Sequence, residues 1–274
     1  MNRILFEKGE VKDGLAVFGG ARADHVLNVL HGEVGQVLKT GEVDGKIGTS
    51  VIKSIETSCC GDLSSEHRDI GASDHVRITV LVSHTEESRR PWVDLILAPP
   101  RPRVMKRLLP QLATLGVGRI FLVGAKKVEK DFWGATLLKE ENYRPLLVDG
   151  LMQAGTSILP TLETRRNFRT FVKEELDALF PTATRIVAHP YTVPAASSLC
   201  GVVTEDGLDS ATQRGRCGYG RLLLAIGPEG GWTDEEVALL EEHGFARYSL
   251  GSRILRTDTA TIALLAQLMK DSDR

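Results

Sequence analysis

The apolar residues of this chain change their spacing between residues 85 and 91, and no other feature constrains its fold as much. Before that point the apolar runs are short and punctuated by glycine: Ile4 to Phe6, Leu15 to Phe18, Gly35 to Leu38, Lys46 to Ile55 and Val76 to Val82. Runs of this length bounded by turn residues read as strands of a small β-rich unit. Its one helical pattern is Ala23 to Leu30, and the polar stretch Ser58 to Asp74 reads as a surface loop. After the charged turn Thr85-Glu-Glu-Ser-Arg-Arg-Pro91, apolar strands alternate with helical patterns, as in a parallel α/β sheet. The strands are Trp92 to Ala98, Arg119 to Val123, Arg185 to His189, Arg221 to Gly227 and Arg247 to Leu250. A chain of 274 residues has room for two domains at about 150 residues each, which we place at 1–86 and 87–274.

Two helices of the second unit are legible. Val104, Met105, Leu108, Leu109, Leu112 and Leu115 keep helical spacing up to Gly116, with a kink expected at Pro110. Segment 233–243 opens with Thr233 as a cap and Glu236 in capping-box position, and Gly244 follows as a stop. Residues 195–220 form a long polar insert between two late strands.

The 34 basic and 36 acidic residues leave a net charge of -2, so no global field attracts a polyanion, and an RNA site must be a local patch. Arg101, Arg103, Lys106 and Arg107 make one such patch at a helix start, and Lys126, Lys127 and Lys130 another after a strand, although charged helix faces are most often just solvated. Cys59, Cys60, Cys200 and Cys217 form no CxxC pair, which argues against a zinc site or a disulfide framework and for reduced thiols. No apolar stretch reaches membrane-spanning length, and the N-terminal segment lacks the apolar core of a signal peptide, so a cytoplasmic protein is expected.

Chemistry concentrates near the C-terminus. Ala225-Ile-Gly-Pro-Glu-Gly-Gly-Trp-Thr233 is a strand ending in a glycine-rich turn that opens a helix. Glycines let backbone approach a ligand, and ligands bind at carboxyl ends of parallel strands. The spacing matches neither GxGxxG nor GxxxxGK[ST], so dinucleotide and P-loop readings lack support. Leu250-Gly-Ser-Arg-Ile-Leu-Arg-Thr-Asp-Thr-Ala260 adds a glycine turn, arginines and a carboxylate at the start of the last helix. Alone, the first segment is a tight turn, and in the second Thr257 is a helix cap and Asp258 a complement to the helix dipole. Together the two segments can wall one cleft. His25 and His31 read as structural, and Trp232 and Phe245 as core.

The runs GPEGGWTDEE (227–236) and SLGSRILRTDTA (249–260) resemble the cofactor signature of the SPOUT methyltransferases, and within them the uracil-N3 methyltransferases of small-subunit ribosomal RNA, the RsmE family. Weaker similarity extends to His25 with Val29-Leu30, to Leu115-Gly116-Val117, and to Gln153 with Pro160. The resemblance implies an N-terminal PUA-like β-barrel that holds RNA and an α/β domain with a C-terminal trefoil knot. It implies S-adenosylmethionine as cofactor, held by Gly227, Pro228, Glu229, Gly230 and Gly231, by Leu250, Gly251, Ile254, Leu255 and Arg256, and by His189 and Pro190. It also implies a homodimer acting on ribosomal RNA or the small ribosomal subunit, and no metal. Departures from the family pattern are Thr114, where glutamate is usual, Ala154 and Thr156 near a usual arginine, His31 for arginine, and Asp258 for glutamate.

Methylating uracil N3 requires removal of a weakly acidic proton and in-line alignment of the nitrogen. Asp258 and Glu229 are the candidate bases or orienting carboxylates, and Arg256 the candidate cation for charge developing on the uracil oxygens. A SPOUT enzyme acting on another RNA nucleotide, a non-catalytic RNA-binding module and a small-molecule α/β enzyme remain the alternatives.

Overall fold

The computed structural model of the chain describes residues 3–57, 76–190 and 221–272. The polar stretch 58–74, the insert 195–220 and all four cysteines lie outside the described residues. The chain divides into two compact units, Met1–Arg89 with Val148–Leu159, and Arg90–Leu147 with Pro160–Arg274.

The first unit is a six-stranded sheet of β1 (Ile4–Phe6), β2 (Val11–Lys12), β3 (Leu15–Phe18), β4 (Val37–Glu42), β5 (Ile47–Thr57) and β6 (Val76–Glu86), in the order β1-β4-β5-β6-β3-β2. Only β1 and β4 pair in parallel; the other neighbours are antiparallel. Alternation along β3 and β4 sends Ala16, Phe18 and Leu38 into a core with Phe6, Ile52, Ile78 and Val80. Strand β6 runs past Val82 through Ser83, His84, Thr85 and Glu86, because pairing with β5 continues after the apolar pattern ends. His84 Nε2 lies 2.8 Å from Thr40 Oγ1, which in turn bonds the buried Ser50 hydroxyl. Burial, with the Arg3 cation second, holds the His84 pKa below its usual value. The helical pattern expected at Ala23 to Leu30 starts earlier, as α1 (Gly20–Asp24), and continues as a π turn over His25–Val29.

The second unit is a wholly parallel sheet of β7 (Val93–Leu97), β8 (Val117–Val123), β9 (Thr161–Arg165), β10 (Thr184–Ala188), β11 (Leu222–Ile226) and β12 (Ala246–Tyr248), ordered β12-β10-β11-β7-β8-β9. Strand β7 is buried at every position, as a central parallel strand covered on both faces must be. Ile96, Phe121, Leu223 and Ala225 pack with Phe168, Phe171, Leu176, Val237 and Leu240, contributed by α4 (Phe168–Thr170), a π turn, α5 (Leu176–Leu179) and α6 (Asp234–Glu242). Helix α2 (Pro102–Thr114) packs against α7 (Thr257–Ser272) and β8, and α7 also against β11. It buries Met105, Leu108, Leu109 and Leu112 and continues through Pro110 to its end. Trp232 and Phe245 are buried, as expected of large aromatic side chains.

Strand β9 escaped the sequence reading because it is a sheet-edge strand whose only apolar residue is Leu162. Helix α3 (Glu140–Ala154) escaped because Pro145 and Gly150 interrupt its pattern. Its last turns and the loop to Leu159 belong to the first unit. There Met152 O accepts from Arg3 N at 3.1 Å, and Asp44 Oδ1 accepts from Leu159 N at 2.8 Å.

Candidate active site

Because all strands of the second sheet run parallel, their carboxyl ends lie along one edge, and the segments leaving β7, β8, β10, β11 and β12 meet there. Three of those segments are the ones singled out in the sequence, and hydrogen bonds tie them together. His189 N, after β10, donates to Tyr248 O at 3.0 Å. Ser249 Oγ, after β12, donates to Pro190 O at 3.2 Å and accepts from Gly251 N. Thr257 Oγ1 donates to Gly227 O at 3.3 Å, joining the loop after β11 to the first residue of α7. This corrects the reading of Thr257 as a helix cap: it lies inside the helix and is buried, and its hydroxyl serves the neighbouring loop.

The glycines meet specific demands. Gly231 and Gly251 take positive φ, at 70° and 119°, where any side chain would strain the backbone. A Cβ at Gly227 would lie 3.1 Å from Trp232 N and from its indole ring, so residue 227 must stay small for the loop to pack. Pro228 O accepts from Gly231 N at 2.8 Å, which closes the turn. At the other end Glu236 is buried beneath Thr233 and completes the capping box, while its Oε1 accepts from Lys126 N at 2.7 Å. The glycine loop is thus anchored both to α6 and to the segment following β8.

The candidate carboxylates and the candidate RNA-binding cations turn out to be neighbours. Arg107 lies 3.8 Å from Asp258, and Arg101 lies 3.6 Å from Glu229 and 4.0 Å from Glu129. Asp258 Oδ1 accepts from Thr259 N, which leaves Oδ2 facing Arg107. Lys127 Nζ donates to Gly230 O at 2.8 Å, so this residue, expected to grip RNA, supports the glycine loop in this structure. Arg103, Lys106 and Lys126 have exposed or half-exposed side chains, and none pairs with a carboxylate among the described residues. Arg256 is exposed beside Leu250, Ile254 and Leu255, and Ile254 reaches 75 % exposure.

These features suit a ligand with a flat, weakly polar ring. Leu250, Ile254 and Leu255 offer exposed apolar surface, the glycines admit close backbone approach, and the indole Nε1 of Trp232 is a buried donor with no partner among the described residues. Neither a group of His, Cys, Asp and Glu side chains able to hold a metal nor a helix long and apolar enough to cross a membrane occurs among the described residues.

A family model described as "RNA methyltransferase domain" matches residues 86–269. The chain is 29% identical over 274 residues to the ribosomal RNA small subunit methyltransferase E of Treponema pallidum (strain Nichols), covering 99% of this chain and 92% of that protein. Among solved structures it superposes on a Legionella pneumophila protein in complex with the bound cofactor SAM, with TM-score 0.66 and 25% identity over 98% of this chain and 97% of the other. It also shares its fold with the ribosomal RNA small subunit methyltransferase E of Neisseria gonorrhoeae bound to S-adenosyl methionine, with TM-score 0.65 and 20% identity over 98% and 97% of the two chains.

Proposed function

Since the chain belongs to the RNA methyltransferase domain family, we propose that it transfers a methyl group from S-adenosylmethionine to ribosomal RNA of the small subunit, at N3 of a uridine. The observation that carries this reading is the meeting of the three loops at the carboxyl edge, tied by the Thr257–Gly227 and Ser249–Pro190 hydrogen bonds, beside Asp258. The cofactor would be held by His189 and Pro190, by the loop 227–231, and by Leu250, Gly251, Ile254, Leu255 and Arg256. Their exposed apolar side chains and glycine backbone fit an adenine ring. When bound, S-adenosylmethionine supplies an electrophilic methyl group.

The remaining work falls to the chain. Asp258 accepts the N3 proton or fixes the base's orientation, and its Oδ1–Thr259 N hydrogen bond aims the carboxylate. Arg256 balances negative charge developing on the uracil oxygens. Glu229 is the second carboxylate in the site, steadied by Arg101. Arg101, Lys106 and Lys126 form the basic margin along which RNA phosphates would run, while Lys127 supports the glycine loop. We further assign a knot to the C-terminal chain path through the loops 227–231 and 249–256, and a PUA-like barrel to the curled sheet of the first unit. A homodimer would cover the exposed Ile254 and Leu255. The family resemblance in the sequence supports these finer assignments, and the loop ties described above support the meeting of the loops in one site. The cytoplasm is the compartment that such a substrate requires.

The test is incubation of purified protein with labelled S-adenosylmethionine and unmodified small ribosomal subunits, followed by nucleoside mass spectrometry. Appearance of 3-methyluridine is the expected outcome. Label in a different nucleoside keeps methyl transfer and removes the uracil assignment.

A further inference from the structure

Beside the candidate site, the first turn of α2 and the turn Lys130–Gly134 enclose an open groove of about 810 Å³. Its lining is mostly apolar, from Pro102, Val104 and the ring of Phe132, together with Arg101, Arg103 and Arg107 and one carboxylate, Glu129, which lies 4.0 Å from Arg101. Phe132 is half-buried, lines the groove and joins none of the ring pairs formed among the described residues. Two of these arginines are those that reach Glu229 at 3.6 Å and Asp258 at 3.8 Å, so the groove and the candidate catalytic carboxylates share neighbours.

That chemistry selects its occupant. A phosphate needs the cations and has no use for an apolar floor, while an aliphatic chain needs the floor and leaves the cations unsatisfied. A planar base satisfies both: its faces stack on aromatic rings and guanidinium planes, and its edge oxygens accept from guanidinium N–H groups. A cavity of this size lies within the usual range for small-ligand sites and has space for the attached sugar. We infer that the groove receives an unpaired base of the RNA substrate, stacked on Phe132, with Arg103 and Arg107 donating to its carbonyl oxygens. The inference rests on the RNA methyltransferase reading and extends it by naming where the base is held outside the stack.

The experiment compares wild type, Phe132→Ala, Phe132→Leu and Phe132→Tyr by fluorescence anisotropy, with a labelled single-stranded oligouridylate and an abasic strand of equal length. Binding of S-adenosylhomocysteine is measured in parallel by calorimetry. Loss of the ring should weaken oligouridylate binding about tenfold in the alanine and leucine variants. The tyrosine variant should retain it, and affinity for the abasic strand should not change. Equal affinities of the alanine variant and wild type for oligouridylate overturn the inference. So does an equal loss on both strands, which would reduce the groove to a phosphate contact. Leucine keeps apolar volume at residue 132, so a fold defect confined to the alanine variant does not blur the result. Failure of wild type to bind S-adenosylhomocysteine strikes the methyltransferase reading instead, and the base dependence is read whatever that outcome.

Discussion

The two edges of the parallel sheet carry charge in opposite ways. At the amino ends of the strands Asp94 is wholly buried, and its two oxygens take Arg119 N, Nε and Nη2 at 2.9, 3.0 and 2.8 Å and Arg221 Nη2 at 2.9 Å. Arg119 is further held 4.3 Å above the Phe180 ring, and a Cβ at Gly118 would collide with the Arg221 guanidinium. At the carboxyl ends the ion pairs are longer and wetter: Arg101 to Glu229 spans 3.6 Å and Arg107 to Asp258 spans 3.8 Å, with both arginines mostly exposed. A buried carboxylate held by two guanidiniums cannot exchange partners without a large desolvation cost, whereas a loose exposed pair adds little stability and can hand its cation to a phosphate or its carboxylate to a proton. The same residue types therefore fasten the sheet at one edge and remain available for chemistry at the other.

The comparison would break first at Asp94. Asp94→Ala leaves two partly buried guanidiniums unpaired and should lower unfolding free energy by about 3 kcal/mol in urea denaturation; a loss below about 1 kcal/mol would mean that the amino edge is no better fastened than the other. Asp258→Ala should do the reverse, cutting methyl transfer about 100-fold while stability stays within about 0.5 kcal/mol. Retained turnover would remove Asp258 from the proton-transfer role. Gly227→Ala presses a methyl against Trp232 and should weaken cofactor binding about tenfold by calorimetry, roughly the effect of 1.4 kcal/mol. Thr233→Ala should cost about 1 kcal/mol through the lost cap, measured by thermal unfolding.

The smallest effect concerns pH at the amino edge. The hydrogen bond from Arg185, with burial opposing it and His243 assisting, holds the exposed Asp177 carboxyl below its usual pKa of 3.8. A carboxyl whose folded pKa is depressed gives stability that is present above 3.8 and is lost as pH falls through the lower folded value. Asp177→Asn should therefore lower stability at neutral pH by the contribution lost and flatten the acid limb of the stability-pH curve below pH about 4.

Much of the second unit was legible because burial on both faces leaves a coarse mark: β11 is an unbroken apolar run, β7 is apolar except for Asp94, and Thr233, Glu236 and Gly244 punctuate α6. The glycine turns were legible because few residues tolerate positive φ. What escaped depends on tertiary partners. Val148–Leu159 rejoins the first unit through single hydrogen bonds such as that of Ser157 N to Ser88 Oγ, which no local spacing announces. Arg107 and Asp258 stand 151 positions apart in sequence, so each was assigned a role without knowledge of the other. The groove at Phe132 escaped for the same reason, since KDFWG has no periodic signature and its partner surface belongs to α2.

The pairing of β7 with β11 brings Ile96 opposite Ala225 at the centre of the sheet. During synthesis the first of these strands must therefore wait, unpaired on one side, for the polymerisation of more than a hundred further residues. Contacts so distant in sequence close slowly, and the loop ties at Thr257 come later still. An incomplete nascent chain can hold a finished first unit, yet it has no means of assembling the catalytic edge. Chains that stop before Thr257 lack its hydrogen bond to Gly227, and with it the join between the loop after β11 and the last helix.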